Sequence, residues 1–464
     1  MIEEIHIKNF KSIIDDTIKL KGLTVVIGPN GSGKSNLIKA LDFLAAIPKN
    51  GIVAAVNKYG GFSGIVPKAI KIKDFRKTQI EFEYTSLLPS PDHYSENLPP
   101  VTVRHMFKLG YSTKEIVRLI SERIDFHQVF AVAAALSENR DSDEMQKYKM
   151  DTSSRFTLKR GTKGGVNFES DPPMSAANLS IYLDWLGFDF AKHFVKSPSS
   201  FRQILLPRIR TKKEEGIKVP QRQRRLRRSF LDPQEATIVD LAKQAEIFRS
   251  ILSNSKRYDL LLGELRREQE ISGSITLLPD GRNMPSSLGY LTSDPDLSAR
   301  WNRILSTLGA IAPHVDTMSP APLRTGKQFV EFIEDFTNRG VESWESSDGT
   351  LRALAILLAL ESNQEYTTLL LEEPEQNLHP WAIRSMIEHV RQSVAENHLQ
   401  VVITTHSKQV LNTSSPDEVL VATRTKKDGT KFRPLQELIP DSIDMGEVGE
   451  MWEKGLLGGV PSYD

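Results

Sequence analysis

Gly28–Ser35 reads GPNGSGKS. Val25, Val26 and Ile27 precede it, and Asn36–Leu44 (NLIKALDFL) follows with apolar residues at helical spacing. Strand, Gly-rich turn and helix in that order are the setting a phosphate-binding loop requires. Gly28 and Gly33 permit turn dihedrals that side chains forbid. The N–H groups of the loop and of the helix start then converge on an anion. Lys34 is placed to reach the β/γ-phosphates of a nucleotide, and the Ser35 hydroxyl to hold Mg²⁺.

At 464 residues the chain can bury a large core, and its length predicts roughly two to four domains. Apolar residues at 39% and charged residues at 26% describe an ordinary globular composition. The balance of 60 basic and 59 acidic side chains gives no global pull toward nucleic acid. Without cysteine there is neither a disulfide nor a thiolate metal site. The opening MIEEIHIKNF has no signal-peptide pattern. The most apolar stretch, Leu351–Leu360 (LRALAILLAL), is too short for a bilayer and carries Arg352. A soluble, cytoplasmic chain without membrane contact is the expectation.

Ile2–Phe10 alternates, with Ile5 and Ile7 on one side and Glu4, His6 and Lys8 on the other, which predicts a strand. Leu20–Ile27 predicts a second strand leading into the Gly-rich loop. Lys77–Thr85 (KTQIEFEYT) alternates again and reads as an edge strand, and Ser86–Pro100 as a boundary. Thr113–Asn139 reads as helix, with Ile116, Leu119, Ile120 and Ile124 on one face. Asp232–Gln269 reads as one long or two shorter helices starting at Asp232-Pro233. No sustained heptad run suggests a long coiled coil. From Ile275 a strand and turn (ITLLPDGRN) lead to a helix through Leu288 and Leu291. Trp301–Ile311 reads as helix, and Phe329–Phe336 as strand or helix.

Three motifs follow. Thr368–Pro374 (TLLLEEP) is a buried parallel strand with two carboxylates at its C-terminal end, the end where open α/β sheets bind ligands. Glu372 there suits Mg²⁺, and Glu373 suits a general base that polarises water. Val401–Ser407 (VVITTHS) is a second buried strand, ending in His406. A helix over Trp381–Glu396 joins the two as a βαβ crossover, which brings His406 within reach of a γ-phosphate on a neighbouring strand. Ser346–Leu358 (SSDGTLRALAILL) puts a Ser-Asp-Gly cap with free N–H groups before an apolar helix.

The chain thus runs NFKS, GPNGSGKSN, a long insertion, SSDGT, LLLEEPE, NLHP and TTHS. That order resembles the ABC-type ATPase heads of the structural-maintenance-of-chromosomes and RecF group. The EEPE and NLHP spellings look most like the overcoming-lysogenization-defect family and related bacterial defence ATPases. The resemblance covers about 1–90 and 270–410. It implies an α/β P-loop head, two-lobed around a central mixed sheet, with ATP and Mg²⁺ as cofactors. It places nucleotide contacts at Asn30, Gly31, Gly33, Lys34, Ser35 and Asn36, with Lys11 and Ser12 of NFKS added. It places the signature motif at Ser347, Asp348 and Gly349, and the end of Walker B at Glu372 and Glu373. The D-loop then falls at Asn377–His379, and His406 is the switch histidine. SSDGT stands where LSGGQ is usual, and Glu372 where an aspartate is usual. In the resembling family the signature of one head completes the site of another, which implies a homodimer or higher oligomer with ATP sandwiched between heads.

The expected organisation is an N-terminal lobe (1–90), a mainly helical insertion (91–270), a C-terminal lobe (271–440) and a tail (441–464). Arg202–Arg228 holds eleven Lys/Arg against two Glu, a net charge of +9, and such a cluster can bind nucleic-acid backbone or simply remain solvated. The 58 residues after His406 are too few for the nuclease domain that overcoming-lysogenization-defect nucleases carry. Met451, Trp452, Leu456 and Leu457 in the tail either pack on the head or dock a partner. The expectation is an ATP-hydrolysing switch of a bacterial defence complex acting on a separately encoded nuclease or toxin. The alternatives are a scaffold that sequesters an effector with incidental hydrolysis, and a RecF-like repair ATPase.

Overall fold

The computed structural model describes residues 1–70, 72–75, 77–88, 101–111, 117–127, 155–160, 166–171, 248–336, 339–440 and 443–457. The chain opens with three strands, β1 (Ile2–Phe10), β2 (Ile13–Lys19) and β3 (Leu23–Ile27), and then helix α1 (Lys34–Asn50). It folds as two compact units. One comprises residues 2–17 and 43–253; the other comprises residues 18–42 and 254–464 with Met1.

In the first unit the chain continues with β4 (Gln79–Leu88), β5 (Val101–Tyr111), β6 (Val117–His127), β7 (Arg155–Arg160) and β8 (Val166–Asp171). The strand order is β8-β7-β6-β5-β4-β1-β2, and from β8 to β1 every pair is antiparallel. Alternation drives this: Ile80, Phe82, Tyr84, Ser86 and Leu88 of β4 are all buried while the residues between them are not. Phe82 packs with Phe10, Phe43 and Phe107 at ring-centroid distances of 5.4–5.7 Å.

Three sequence readings change here. The Lys77–Thr85 strand is interior, flanked by β1 and β5, and is not an edge. Thr113–Asn139 is not helical where it is described, because Val117–His127 pairs antiparallel with β5. Ser121 faces Lys108 but Leu119 faces Leu109, so Ile120 is an extra residue, a β-bulge. The bulge breaks the period-two pattern and mimics helical spacing. A Cβ at Gly110 would meet Ile120 Cδ1 at 2.5 Å, so the glycine makes room for that side chain. Within 91–270 the described residues are chiefly strand, with helical stretches at 248–253 and Leu262–Leu265; the rest of the expected mainly helical insertion lies outside the described residues. Of the Asp232–Gln269 helix reading, residues 248–269 are described and are helical only at 248–253 and Leu262–Leu265, with strand Lys256–Tyr258 between them; residues 232–247 and all of the basic stretch 202–228 lie outside the described residues.

The second unit adds β9 (Lys256–Tyr258), β10 (Gln269–Glu270), α2 (Met284–Ser293), α3 (Ser298–Ile311), β11 (Val315–Pro322), β12 (Lys327–Glu334) and β13 (Val341–Glu342). Then come α4 (Asp348–Glu361), β14 (Thr368–Glu372), α5 (Pro380–Glu396), β15 (Gln400–Thr405), α6 (Lys408–Thr413), β16 (Val419–Thr425), β17 (Gly429–Pro434) and α7 (Met445–Glu453). Its main sheet has the order β17-β16-β3-β15-β14-β9. From β16 to β9 all pairs are parallel. A small antiparallel sheet of β10, β12, β11 and β13 stands apart. The chain from 271 to 283 is irregular, so the ITLLPDGRN strand is not formed, although the helix after it is.

The apolar run Leu351–Leu360 is α4, buried all round at the centre of this unit's core. A helix apolar on every face must be enclosed. Among the described residues no helix is long and apolar enough to cross a membrane. The tail resolves one alternative: Trp452 and Leu457 are buried in the same core, while Leu456 alone is 67% exposed. These two side chains therefore pack on their own unit and are not available for docking.

Candidate functional site

Three parallel strands of the second unit end side by side. Ile27 of β3 pairs with Thr405 of β15, and Thr404 pairs with Glu372 of β14. Each strand then releases its loop at the same edge, where parallel sheets place ligands. β3 leads to the Gly-rich loop, β14 to Glu373, and β15 to His406.

The Gly-rich loop turns as its sequence requires. Gly31 has φ +78° and Gly33 φ +107°, which side chains rarely adopt. A Cβ on Gly28 would lie 2.6 Å from the Ala422 carbonyl oxygen, so β16 admits only glycine there. The loop is also tied to the β16–β17 hairpin. Thr430 Oγ1 donates to the Ser32 carbonyl at 2.7 Å, and an Arg424 guanidinium N–H donates to that of Gly31 at 3.3 Å. Sequence reasoning missed both, because nothing in their spacing links residues 424 and 430 to residue 31.

Lys34 is buried, with its ammonium against the Gly28 carbonyl (2.7 Å), the Pro29 carbonyl (3.2 Å) and His406 Nε2 (2.7 Å). An ammonium can only donate, so His406 Nε2 accepts and the ring proton sits on Nδ1. Burial pushes the Lys34 pKa down to about 8, opposed by the charges of Glu373, Glu372 and Glu375. Burial and then the Lys34 charge hold His406 below the usual histidine value, opposed by Glu373. Glu373 Oε1 lies 3.7 Å from His406 Nε2.

Glu373 itself is strained, at φ +47°. Its N–H donates to the Thr404 carbonyl at 2.8 Å, and its Oε2 accepts from Gln376 Nε2 at 2.5 Å. Glu372 Oε1 pairs with an Arg257 guanidinium nitrogen at 2.9 Å. The arrangement suits a nucleotide with a hard cation. Around Gly31 a Cβ would meet no atom within 4 Å, so that side of the loop is open. The Ser35 hydroxyl and the Glu372 carboxylate are hard oxygen donors of the kind Mg²⁺ takes. Asn30 and Gly31 are exposed on the loop, and Ser35 and Asn36 are half-buried in the first turn of α1.

The signature candidates cap α4. Ser347 Oγ accepts from the Thr350 N–H at 3.0 Å, an N-cap as the sequence indicated. Asp348 Oδ1 pairs with Arg266 at 2.5 Å, and the same guanidinium donates to the Trp344 and Ser346 carbonyls. Gly349 lies against the candidate D-loop, since a Cβ there would sit 2.7 Å from the Asn377 carbonyl oxygen. Asn377 has φ +65°, a conformation asparagine tolerates. His379 Nδ1 caps α5 by accepting from the Trp381 N–H at 3.3 Å. Lys11 and Ser12 belong to the other unit. There the Lys11 ammonium donates to the Gly64 carbonyl at 2.8 Å and lies 5.3 Å from the Tyr59 ring centroid, and Ser12 is 8% exposed.

A Gly-rich loop between a buried parallel strand and a helix, with a lysine at its lip, defines a P-loop nucleotide-binding domain. The chain belongs to the family described as "AAA domain, putative AbiEii toxin, Type IV TA system", which matches residues 23–412. The chromosome partition protein Smc of Methanococcus voltae is 52% identical over 44 residues, 9% of this chain and 4% of that protein. The DNA replication and repair protein RecF of Beutenbergia cavernae is 31% identical over 85 residues, 18% of this chain and 21% of that protein. The chain thus spans only a small part of the length of these relatives. A Smc head bound to the C-winged helix domain of ScpA aligns at TM-score 0.41 and 11% identity, covering 94% of this chain and 98% of that one. The SMC head domain from Thermotoga maritima aligns at TM-score 0.35 and 13% identity, covering 93% and 98%.

Proposed function

We propose that this chain binds and hydrolyses ATP between two copies of itself, and that the ATP-bound state controls a separately encoded effector of a bacterial defence system. The observation that carries the reading is the meeting of Lys34, His406 and Glu373 at the ends of three adjacent parallel strands. Lys34 would leave its present carbonyl partners for the β/γ-phosphates. The Ser35 hydroxyl and Glu372 would hold Mg²⁺, which supplies charge neutralisation along the phosphates. Glu373 would polarise the attacking water, and His406, once Lys34 turns away and Nε2 takes up the ring proton, would donate its Nε2–H to the γ-phosphate. Asn30, Gly31, Gly33 and Asn36 would line the phosphates through backbone and side-chain donors.

The N–H groups at the start of α4 would meet the γ-phosphate bound by the partner copy. The family description names a putative toxin of a Type IV TA system, which supports a defence setting. The effector we propose is a nuclease or toxin, and nucleic-acid backbone is a further proposed partner of 202–228. The resemblance of EEPE and NLHP to overcoming-lysogenization-defect proteins supports the same defence setting.

Steady-state turnover beside ATP binding tests the core of this reading. Lys34→Ala should lose ATP affinity. Glu373→Gln should keep it while turnover falls by about 10²–10⁴. Wild-type turnover in the Glu373→Gln protein would refute the assignment. Mass measurement with the product of the neighbouring gene, with and without ATP, tests the effector.

A further inference from the structure

Glu375 has no part in the roles above, yet it is 8% exposed and lies between the two loops that carry Glu373 and His406. Its carboxylate accepts from the Thr405 hydroxyl. That hydroxyl in turn accepts from the Ser407 N–H at 2.8 Å. Thr405 is therefore tied directly, and Ser407 through it, to one side chain from the exit turn of β14. Thr405 is fully buried and pairs with Ile27, the last residue of the strand that feeds the Gly-rich loop.

We infer that Glu375 is a positioning residue for His406: through Thr405 and the backbone that follows, it fixes where the imidazole stands relative to Lys34. This inference rests on the ATPase reading of the site. The backbone around a histidine at a strand end has no ladder partner beyond Thr405, so its direction must come from elsewhere. The Ser407 side chain serves the next helix, accepting from the Val410 N–H at 3.4 Å, and does not bond to the β14 turn. The Glu375 carboxylate links the loop after β14 to the histidine loop through Thr405. A carboxylate is a costly choice for mere packing, since burial disfavours its charge and pushes its pKa up. What it provides is an acceptor for the buried Thr405 hydroxyl, which an apolar residue cannot offer.

The test uses the full chain and four variants: Glu375→Ala, Glu375→Gln, Thr405→Val and the double variant Glu375→Ala/Thr405→Val. Glu375→Gln keeps an acceptor oxygen for Thr405 while losing the charge. Misplacement of a catalytic group by a fraction of an ångström costs on the order of tenfold or more in turnover. Glu375→Ala and Thr405→Val should each lower kcat by about tenfold with the ATP Kd within about threefold. The double variant should be no worse than the poorer single, and Glu375→Gln should recover most of kcat. The His406 ring resonance in ¹³C-histidine spectra, assigned by its loss in His406→Gln, should move in Glu375→Ala and Thr405→Val and return in Glu375→Gln. An unmoved resonance, an ATP affinity that falls in step with kcat, or a Glu375→Gln protein as impaired as Glu375→Ala overturns the inference. Should Glu375→Ala not fold, Thr405→Val and Glu375→Gln decide by the same readouts. The resonance arm needs no ATP turnover, so failure of the ATPase reading is seen separately, in the Glu373→Gln protein.

Discussion

The Lys34 ammonium lies 2.7 Å from His406 Nε2, joining residues 372 apart in the chain. In this geometry the lysine that should bind phosphate is occupied by two carbonyls and an imidazole. On the proposed ATPase reading, a phosphate entering the loop would displace those partners and release the histidine, so that His406 would report whether Lys34 has found its anion.

The sandwich arrangement predicts complementation. Lys34→Ala and Ser347→Arg each remove one half of a composite site. Mixed dimers of the two variants retain one intact site, so they should recover part of the wild-type turnover that neither variant shows alone. Absence of recovery in dimers verified as mixed by mass would argue against ATP bound between copies.

Gly349 should tolerate no side chain. A Cβ would stand 2.7 Å from the Asn377 carbonyl oxygen, which belongs to backbone already held at φ +65°. Gly349→Ala should cost about 1–3 kcal/mol, as overpacked sites do, seen as a lowered denaturant midpoint. An unchanged midpoint would mean that the two loops separate easily.

Acid should weaken the second unit through Glu361. This carboxylate, fully buried at the end of α4, meets His389 at 2.9 Å and accepts from Arg303 (2.5 Å), Ser393 (2.9 Å) and Asn397 (3.0 Å). Burial opposes its charge, but these partners outweigh burial and hold its pKa down at about 2, against an ordinary 4.5. A carboxylate depressed on folding stabilises fully above its unfolded value, and that share is lost as pH falls from about 4.5 to about 2. Chemical denaturation across this window should show stability declining with acid, and Glu361→Gln should flatten the decline. Glu361→Ala leaves Arg303 without its buried partner and should cost about 3–5 kcal/mol at neutral pH.

The basic stretch should reveal itself by salt. If 202–228 neutralises Z phosphates of duplex DNA, log affinity falls against log salt with a slope of about −0.9Z. Replacing Arg224, Arg225, Arg227 and Arg228 by glutamine should flatten that slope. A slope left unchanged by the substitutions would return the stretch to a solvated loop or to an acidic protein partner.

Much of the site was legible because its chemistry is local. GPNGSGKS dictates its own turn, since Gly31 and Gly33 supply the positive φ angles that the loop needs. TLLLE and VVITT declare buried parallel strands by being apolar throughout, and Ser347 declares a cap by its hydroxyl. These short-range preferences also located Glu372, Glu373 and His406 at strand ends. Tertiary structure decided what depends on pairing and on distant partners. The bulge at Ile120 turned an apparent helix into a strand, because register is set by β5 and not by the residue pattern alone. Burial of Trp452 and Leu457 was decided by the core they meet. The links from Thr405 to Glu375, from Arg424 to Gly31 and from Lys34 to His406 join side chains that no spacing relates. Hydrogen bonds reach only about 3 Å, so such partnerships exist only after the sheet has brought its strand ends together.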